Sequence, residues 1–379
     1  MVTTHPIQYN APWFKLLAQR SNIIPRVFYT WSQAEKGPKY DPDFGKIIEW
    51  DLPLLEGYDY EFVTNISKAP GSHHFKGIIN PSLNTDIEKW KPDAVLVIGW
   101  AYKSHLSCIR YFKNKIPVLF RGDSTLLDEK KNFKTFLRRL FLTWVYRHID
   151  VALYVGTNNK KYFTAHGVKE CQLKLAAHAI DSDRFLGHEK FHQQIVETFK
   201  TELGIRQDDF VLLFAGKLED KKNPYFLLKL AKRMKDPQLK FLFVGNGNLE
   251  EDLKSQSAND PRIKFLGFQN QTAMPAVYRL ADIFILPSTG PGETWGLGAN
   301  EAMACGLPVL LSSKAGGALD LVKENGIIFG PDDVEKVEAY IQQLKSSPTL
   351  FNAAKRASSE HIKVFNFTQI AKAIEMAFI

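Results

Sequence analysis

Two glutamates, Glu293 and Glu301, stand with seven residues between them in a stretch that also holds Gly296 and Leu297. A carboxylate accepts two hydrogen bonds from a vicinal diol, such as that of a ribose or a hexose. The residues between the acids read as the start of a helix, whose first N–H groups have no partner within it. An anion can dock on those groups at Gly296 and Leu297. The dipole supplies only about 0.3–2 kcal/mol there, so other groups must hold the ligand as well. A diphosphate on the helix end with a diol on either side describes a nucleotide sugar. The alternative is a helix N-terminus carrying one dipole-favoured acid and one solvated acid.

The elements that position these groups follow from the flanking sequence. Ile283 to Leu286 is a short apolar run that Pro287 ends, and a helix spans about Gly296 to Cys305. Gly306 sits where a left-handed C-terminal cap belongs, and Pro308 prevents continuation. The helix therefore starts at the carboxyl end of a buried strand, where open α/β sheets place ligands. Upstream, Gly216-Lys217-Leu218-Glu219-Asp220-Lys221-Lys222-Asn223 follows a strand and opens another helix. Its glycine lets the backbone approach a ligand and its lysines can neutralise a diphosphate; a solvated charge run at a helix start has the same composition. Gly245-Asn246-Gly247 makes a second strand-to-helix loop, by itself no more than a tight-turn signal.

Taken together, Pro287-Ser288, Glu293-Thr294-Trp295-Gly296-Leu297 and Asn300-Glu301 through Val309 resemble the donor-site signature of glycosyltransferase family 4. The resemblance implies a retaining enzyme of GT-B fold, independent of a bound metal or cofactor. It places Lys217 and Lys222 on the two cations that grip the donor phosphates. The chain departs from the pattern with lysine for arginine at Lys217 and with Asn223 for glycine. A lysine is a point charge without the bidentate fork, so the grip at Lys217 is looser. Glu293, Lys217 and Lys222 are thus the catalytic candidates. Glu301, Gly296, Leu297, Trp295, Thr294, Gly216, Gly245, Asn246, Gly247 and Phe268 are the donor-binding candidates. Phe268, with Gln269 to Gln271, resembles the turn holding the base but does not tell uracil from guanine. The family reading favours UDP-sugars as donors and admits GDP-sugars. Lys314 to Asp320 resembles another loop beside the donor, or a capped helix start.

The full chain has 379 residues, 45% of them hydrophobic and 24% charged, as in globular proteins of two or three domains. Two alternating sets of apolar runs and helical patterns predict two α/β sheets. Strands are expected at Val2 to Thr4, Ile24 to Tyr29, Ala94 to Ile98, Val118 to Phe120 and Val151 to Val155. A second set is expected at Val211 to Ala215, Lys240 to Val244, Ile263 to Leu266, Ile283 to Leu286, Val309 to Leu311 and Gly326 to Phe329. The expected fold is α/β: two Rossmann-like doubly wound domains of GT-B type, residues 1–185 and 186–364, facing across a cleft. A linker is expected near Asp181 to Phe210. The resemblance implies that a last helix, about 365–379, crosses back to the first domain. The first strand reads as clipped, which leaves the N-terminus either late or short.

The acceptor belongs to the first domain on this reading. His5, Gln8, Trp100, Arg121 and Asp123 follow its strands. Many family members carry a His-Asp pair where this chain has Arg121 to Asp123, so a histidine-centred role does not transfer. The implied acceptor is a glycan or a lipid-linked glycan, in cell-surface polysaccharide synthesis. Residues 101–150 carry 11 Lys and Arg against 4 Asp and Glu, whereas residues 201–350 carry 17 against 19. The basic excess is thus local. Residues 130–148 mix cations with aromatics and leucines, so this helix either packs in the core with a solvated basic face or lies on an anionic membrane surface. Nucleic acid is not an expected partner. Three cysteines without metal spacing and no apolar stretch of spanning length fit a cytoplasmic protein, or one at the inner face of the membrane. Asp41-Pro42-Asp43 and Asp181-Ser182-Asp183 mimic an Asp-x-Asp metal site, but short acidic pairs are common at turns. The rival functions are a non-catalytic membrane-associated subunit that binds sugar nucleotides, and a sugar-nucleotide epimerase.

Overall fold

The computed structural model describes residues 1–31, 39–41, 46–48, 51–130, 132–187 and 189–377. The chain divides into two compact units: residues 1–39, 53–178 and 367–379 form unit 1, and residues 40–52 and 179–366 form unit 2. The division falls at 178/179 rather than at the expected 185/186. The segment read as a linker is the reason. It folds as two helices of unit 2, Ser182–Leu186 and Glu189–Leu203.

Unit 1 contains a seven-stranded sheet. Its strands are β1 (Val2–Thr3), β2 (Arg26–Tyr29), β5 (Asp59–Phe62), β6 (Val95–Ile98), β7 (Val118–Arg121), β8 (Val151–Tyr154) and β9 (Leu173–Leu175). A separate pair, β3 (Lys39–Asp41) and β4 (Lys46–Ile48), makes a two-stranded sheet. Of the acidic decoys, Asp41 ends β3 while Pro42 and Asp43 lie outside the described residues. The order in the large sheet is β5-β2-β1-β6-β7-β8-β9, with parallel pairing throughout. The chain winds outward from β1 in one direction and from β6 in the other, which makes the sheet doubly wound. Both faces are covered, so the central strands are runs of apolar residues. Val97, Val118 and Phe120 lie in one core with Ile109, Val145 and Phe163 from the helices. The last helix, Phe367–Glu375, buries Ile370, Ala371 and Ile374 within unit 1, where it packs on the Ala11–Ala18 helix.

Unit 2 repeats the plan with six parallel strands: β10 (Phe210–Ala215), β11 (Leu239–Val244), β12 (Ile263–Leu266), β13 (Ile283–Leu286), β14 (Val309–Ser312) and β15 (Gly326–Phe329). The order is β12-β11-β10-β13-β14-β15. Its winding reverses between β10 and β13. A crevice outside the carboxyl ends of those two strands is the favoured ligand position in such sheets.

Candidate donor site

The loops after β10 and β13 flank that reversal, and three contacts tie them together. The Thr289 N–H donates to the Lys221 carbonyl (2.9 Å). The Asn223 side-chain amide donates to the Pro287 carbonyl (3.2 Å). The Lys222 ammonium is ion-paired with Glu293 Oε2. Asn223 has φ +53°, a left-handed conformation that asparagine tolerates better than other non-glycine residues. Its replacement of glycine in the family pattern is therefore structurally mild.

Glu293 is 8% exposed, and the Ser288 hydroxyl donates to the same Oε2 at 3.0 Å. Its backbone is also held. The Gly316 N–H donates to the Glu293 carbonyl (2.9 Å) and the Gly317 N–H to that of Trp295 (3.0 Å). The Lys314 to Asp320 stretch thus clamps the acidic loop through its backbone. Gly296 follows in the left-handed region, φ +101°, as the residue preceding the Leu297–Ala304 helix. A Cβ there would lie 2.6 Å from Leu286 Cδ2, so glycine is required by space as well as by conformation. Gly306 closes the helix at φ +76°. Glu301, on the second turn of this helix, is buried and accepts from the Tyr278 hydroxyl at 2.8 Å. The solvated-acid alternative fails for both carboxylates.

The glycine loop after β11 lies against the lysine loop. A Cβ on Gly245 would fall 2.2 Å from the Gly216 carbonyl oxygen, and one on Gly247 2.3 Å from that of Leu218. Gly245 itself has φ +128°. The Asn246 side chain joins the next loop: its Oδ1 accepts from the Phe268 N–H (2.8 Å) and its amide donates to Glu250 (2.6 Å). Loops from β10, β11, β12 and β13 therefore form one continuous edge carrying Gly216, Lys217, Lys222, Asn246, Phe268, Glu293, Thr294 and Gly296.

Trp295 departs from expectation. Its ring is 3% exposed, its N–H donates to Asn300 Oδ1 (2.8 Å), and it packs near Phe365 with centroids 6.0 Å apart. A Cβ on Gly317 would touch the indole at 2.8 Å. The side chain is a buried peg beneath the loop and presents no donor-binding surface.

In unit 1 the acceptor-side candidates divide by burial. His5 is half-buried, with Nδ1 3.0 Å from the Thr4 hydroxyl and its ring edge-on to Trp31. Trp100 is half-buried against Phe141, and Gln8 is buried. Arg121 is also buried, and its guanidinium donates to the Ala176 carbonyl, tying β7 to the segment after β9. Burial lowers its pKa to about 10, against the pull of Asp123, so it stays charged at neutral pH. Asp123 Oδ2 lies 3.7 Å from His178 Nε2, beyond direct hydrogen bonding but within range of its charge. Burial holds the His178 imidazole below its ordinary pKa, Asp123 pulls it up and Arg121 pulls it down. The sequence reading missed His178, whose only signal is its place just after a short strand.

Among the described residues, no three His, Cys, Asp or Glu side chains are grouped to hold a metal ion. Asp181 precedes the Ser182–Leu186 helix, whose Arg184 donates to the Gln271 carbonyl (2.7 Å) and side chain (2.8 Å).

Residues 195–363 match the family described as glycosyl transferases group 1. The match covers the whole unit 2 sheet and the helices that follow it. An uncharacterized glycosyltransferase of Methanocaldococcus jannaschii is 32% identical over 37% of this chain and 36% of its own length. The UDP-Gal:alpha-D-GlcNAc-diphosphoundecaprenol alpha-1,3-galactosyltransferase of Escherichia coli is 26% identical over 47% of each. The chain thus spans from about a third to about half of the curated relatives it matches. A structure of Anabaena HepE in complex with UDP and glucose superimposes over 100% of this chain and 98% of its own, with a TM-score of 0.73 and 18% identity. That likeness establishes the fold alone: two Rossmann-like units, as in HepE.

Proposed function

We propose that the protein is a retaining glycosyltransferase that moves a sugar from a nucleoside-diphospho-sugar, a UDP-sugar by preference, to a glycan or lipid-linked acceptor in polysaccharide synthesis. The observation that carries this reading is the Lys222–Glu293 pair, set where the unit 2 sheet reverses its winding. Glu293 holds the hydroxyls of the transferred sugar, and Glu301 shares its carboxylate between Tyr278 and the ribose. A carboxylate has about four acceptor positions, so one tyrosine bond leaves it capable of more. Lys217, Lys222 and the amide end at Gly296 and Leu297 stabilise the diphosphate as it gains charge on departure. The diphosphate itself takes the proton of the attacking hydroxyl, and no metal is required. The acceptor side falls to the strand ends of unit 1, with His5, Gln8, Trp100 and Asp123 as its polar and aromatic groups. HepE with UDP and glucose, and the galactosyltransferase with its diphosphoundecaprenol-linked sugar, support the classes of donor and acceptor.

Thermal melting with UDP-, GDP- and ADP-sugars tests the donor. A ligand at 100 times its dissociation constant adds about 2.7 kcal/mol, so one nucleotide class should raise the transition clearly. Product analysis with and without acceptor then separates transfer from epimerisation. The Glu293→Ala variant should bind nucleotide, stay folded and transfer no sugar. Wild-type transfer by that variant would end the assignment.

A further inference from the structure

The Phe133–Tyr146 helix of unit 1 is built inside out over its first two turns. Phe133, Phe136, Leu137, Leu140 and Phe141 recur at i, i+3, i+4, i+7 and i+8, the spacing of a buried helix face. They are nevertheless 74%, 56%, 49%, 55% and 43% exposed. The core takes only the later residues, Leu142, Val145 and Tyr146. The core-packed alternative therefore holds for the second half of the helix and fails for the first. The exposed half is not a frayed end. Asn132 caps it by accepting from the Thr135 N–H (2.9 Å), and the Thr135 hydroxyl donates to the Lys130 carbonyl (2.6 Å).

Cations flank the apolar stripe. Lys130, Lys134 and Arg138 are exposed, and the nearby acid Glu129 is occupied by Arg139 at 2.7 Å. Two half-buried tryptophans adjoin the same face: Trp100 lies 5.6 Å from Phe141 between ring centroids, and so does Trp144. Apolar side chains ringed by Lys, Arg and Trp are the composition of a helix lying in a membrane interface. A second copy of this chain fits less well, because a two-fold contact would set the same cations against each other. Among the described residues no helix is long and apolar enough to cross a bilayer, so the contact is with its surface.

We propose that this stripe seats the strand-end edge of unit 1 on an anionic lipid bilayer, with Phe136, Leu137 and Leu140 inserted and Lys130, Lys134 and Arg138 at the headgroups. The seat brings the end of β6, at Trp100, to the level of the headgroups. A lipid-linked acceptor would reach that edge without leaving the membrane. The proposal stands apart from the donor assignment.

The test is flotation of the full chain with vesicles of phosphatidylcholine alone, and of phosphatidylcholine with roughly a third phosphatidylglycerol. Wild type should partition onto the anionic vesicles at least about tenfold better, and salt should weaken this. Phe136→Ser combined with Leu140→Ser should lower that partitioning by roughly tenfold or more. Lys134→Glu with Arg138→Glu should remove the preference for phosphatidylglycerol. Both variants alter exposed side chains, so their melting and their thermal response to UDP-sugar should match wild type. Equal binding to both vesicle types, or wild-type binding by the Ser variant, overturns the proposal. So does a concentration-dependent dimer that the Ser variant loses, because the stripe would then cover a second copy.

Discussion

Removing the Lys222 ammonium gives the sharpest test of the donor site, because it should damage stability and chemistry by separable amounts. In Lys222→Ala, the Glu293 carboxylate, 8% exposed in the wild type, loses its ion pair and keeps the Ser288 hydroxyl at 3.0 Å. Breaking a fully buried ion pair on one side costs about 3–5 kcal/mol. The Lys222 side chain is 22% exposed, so water refills part of the gap, and about 1–3 kcal/mol is the expected loss. For a unit of this size that corresponds to a fall in Tm of roughly 3–10 °C. The loss of charge opposite the departing diphosphate should lower kcat by about 10²–10³. Glu293→Gln in the same chain should recover most of the stability, since the uncompensated charge is gone, and none of the activity. Calorimetry and donor-consumption assays, run well below the lower transition, read the two effects apart. Turnover by Lys222→Ala within about threefold of wild type, or activity returning with stability in the double variant, would refute the reasoning.

Two more perturbations probe the framework. Gly245→Ala places a methyl group 2.2 Å from the Gly216 carbonyl at φ +128° and should cost about 1–3 kcal/mol, with UDP affinity weakened roughly tenfold by calorimetric titration. In unit 1, His105 is fully buried, with Nε2 2.8 Å from the Thr30 hydroxyl and Nδ1 2.9 Å from the Gly99 carbonyl. Burial lowers its pKa to about 4 from 6.5. The unfolded chain therefore binds the extra proton first, and stability is full above pH 6.5 and lost as pH falls from there towards 4. Between pH 7 and 5 His105 should contribute a loss of about 2 kcal/mol in denaturant titrations, and His105→Gln should remove that share of the slope, leaving the part due to His166 and His178, whose pKa burial also lowers.

The unit 2 strands are legible to within one residue: the central β10, β13 and β14 are unbroken buried apolar runs, and in β11 and β12 a single lysine interrupts an otherwise apolar run. Polar strands are not. The edge strand β5 reads Asp-Tyr-Glu-Phe, and β9 has only Leu173 buried, so neither rises above its surroundings. The Glu189–Leu203 helix reads as a linker in sequence because its polar face dominates its composition. At the site, the glycines and charged residues of the four loops were readable, since close backbone approach leaves a glycine at each crossing. The direction of Trp295 was not readable, because a motif fixes where a residue falls along the chain and not which side of the loop its ring occupies. The Asp123–His178 contact was hidden for another reason. It joins the ends of two strands separated in the sheet by β8, and nothing local marks either partner.

Strand order in unit 2 also sets a length scale. The Phe268 turn follows β12, while Lys217 and Lys222 follow β10, with one strand between them. Neighbouring strands are about 4.8 Å apart, so the two stations on the sheet edge stand roughly 10 Å from each other. The edge thereby acts as a ruler graded in strand spacings. On the proposed reading, a donor with base, ribose and diphosphate in line would cover the full interval, with its base at the Phe268 turn and its phosphates at the lysines.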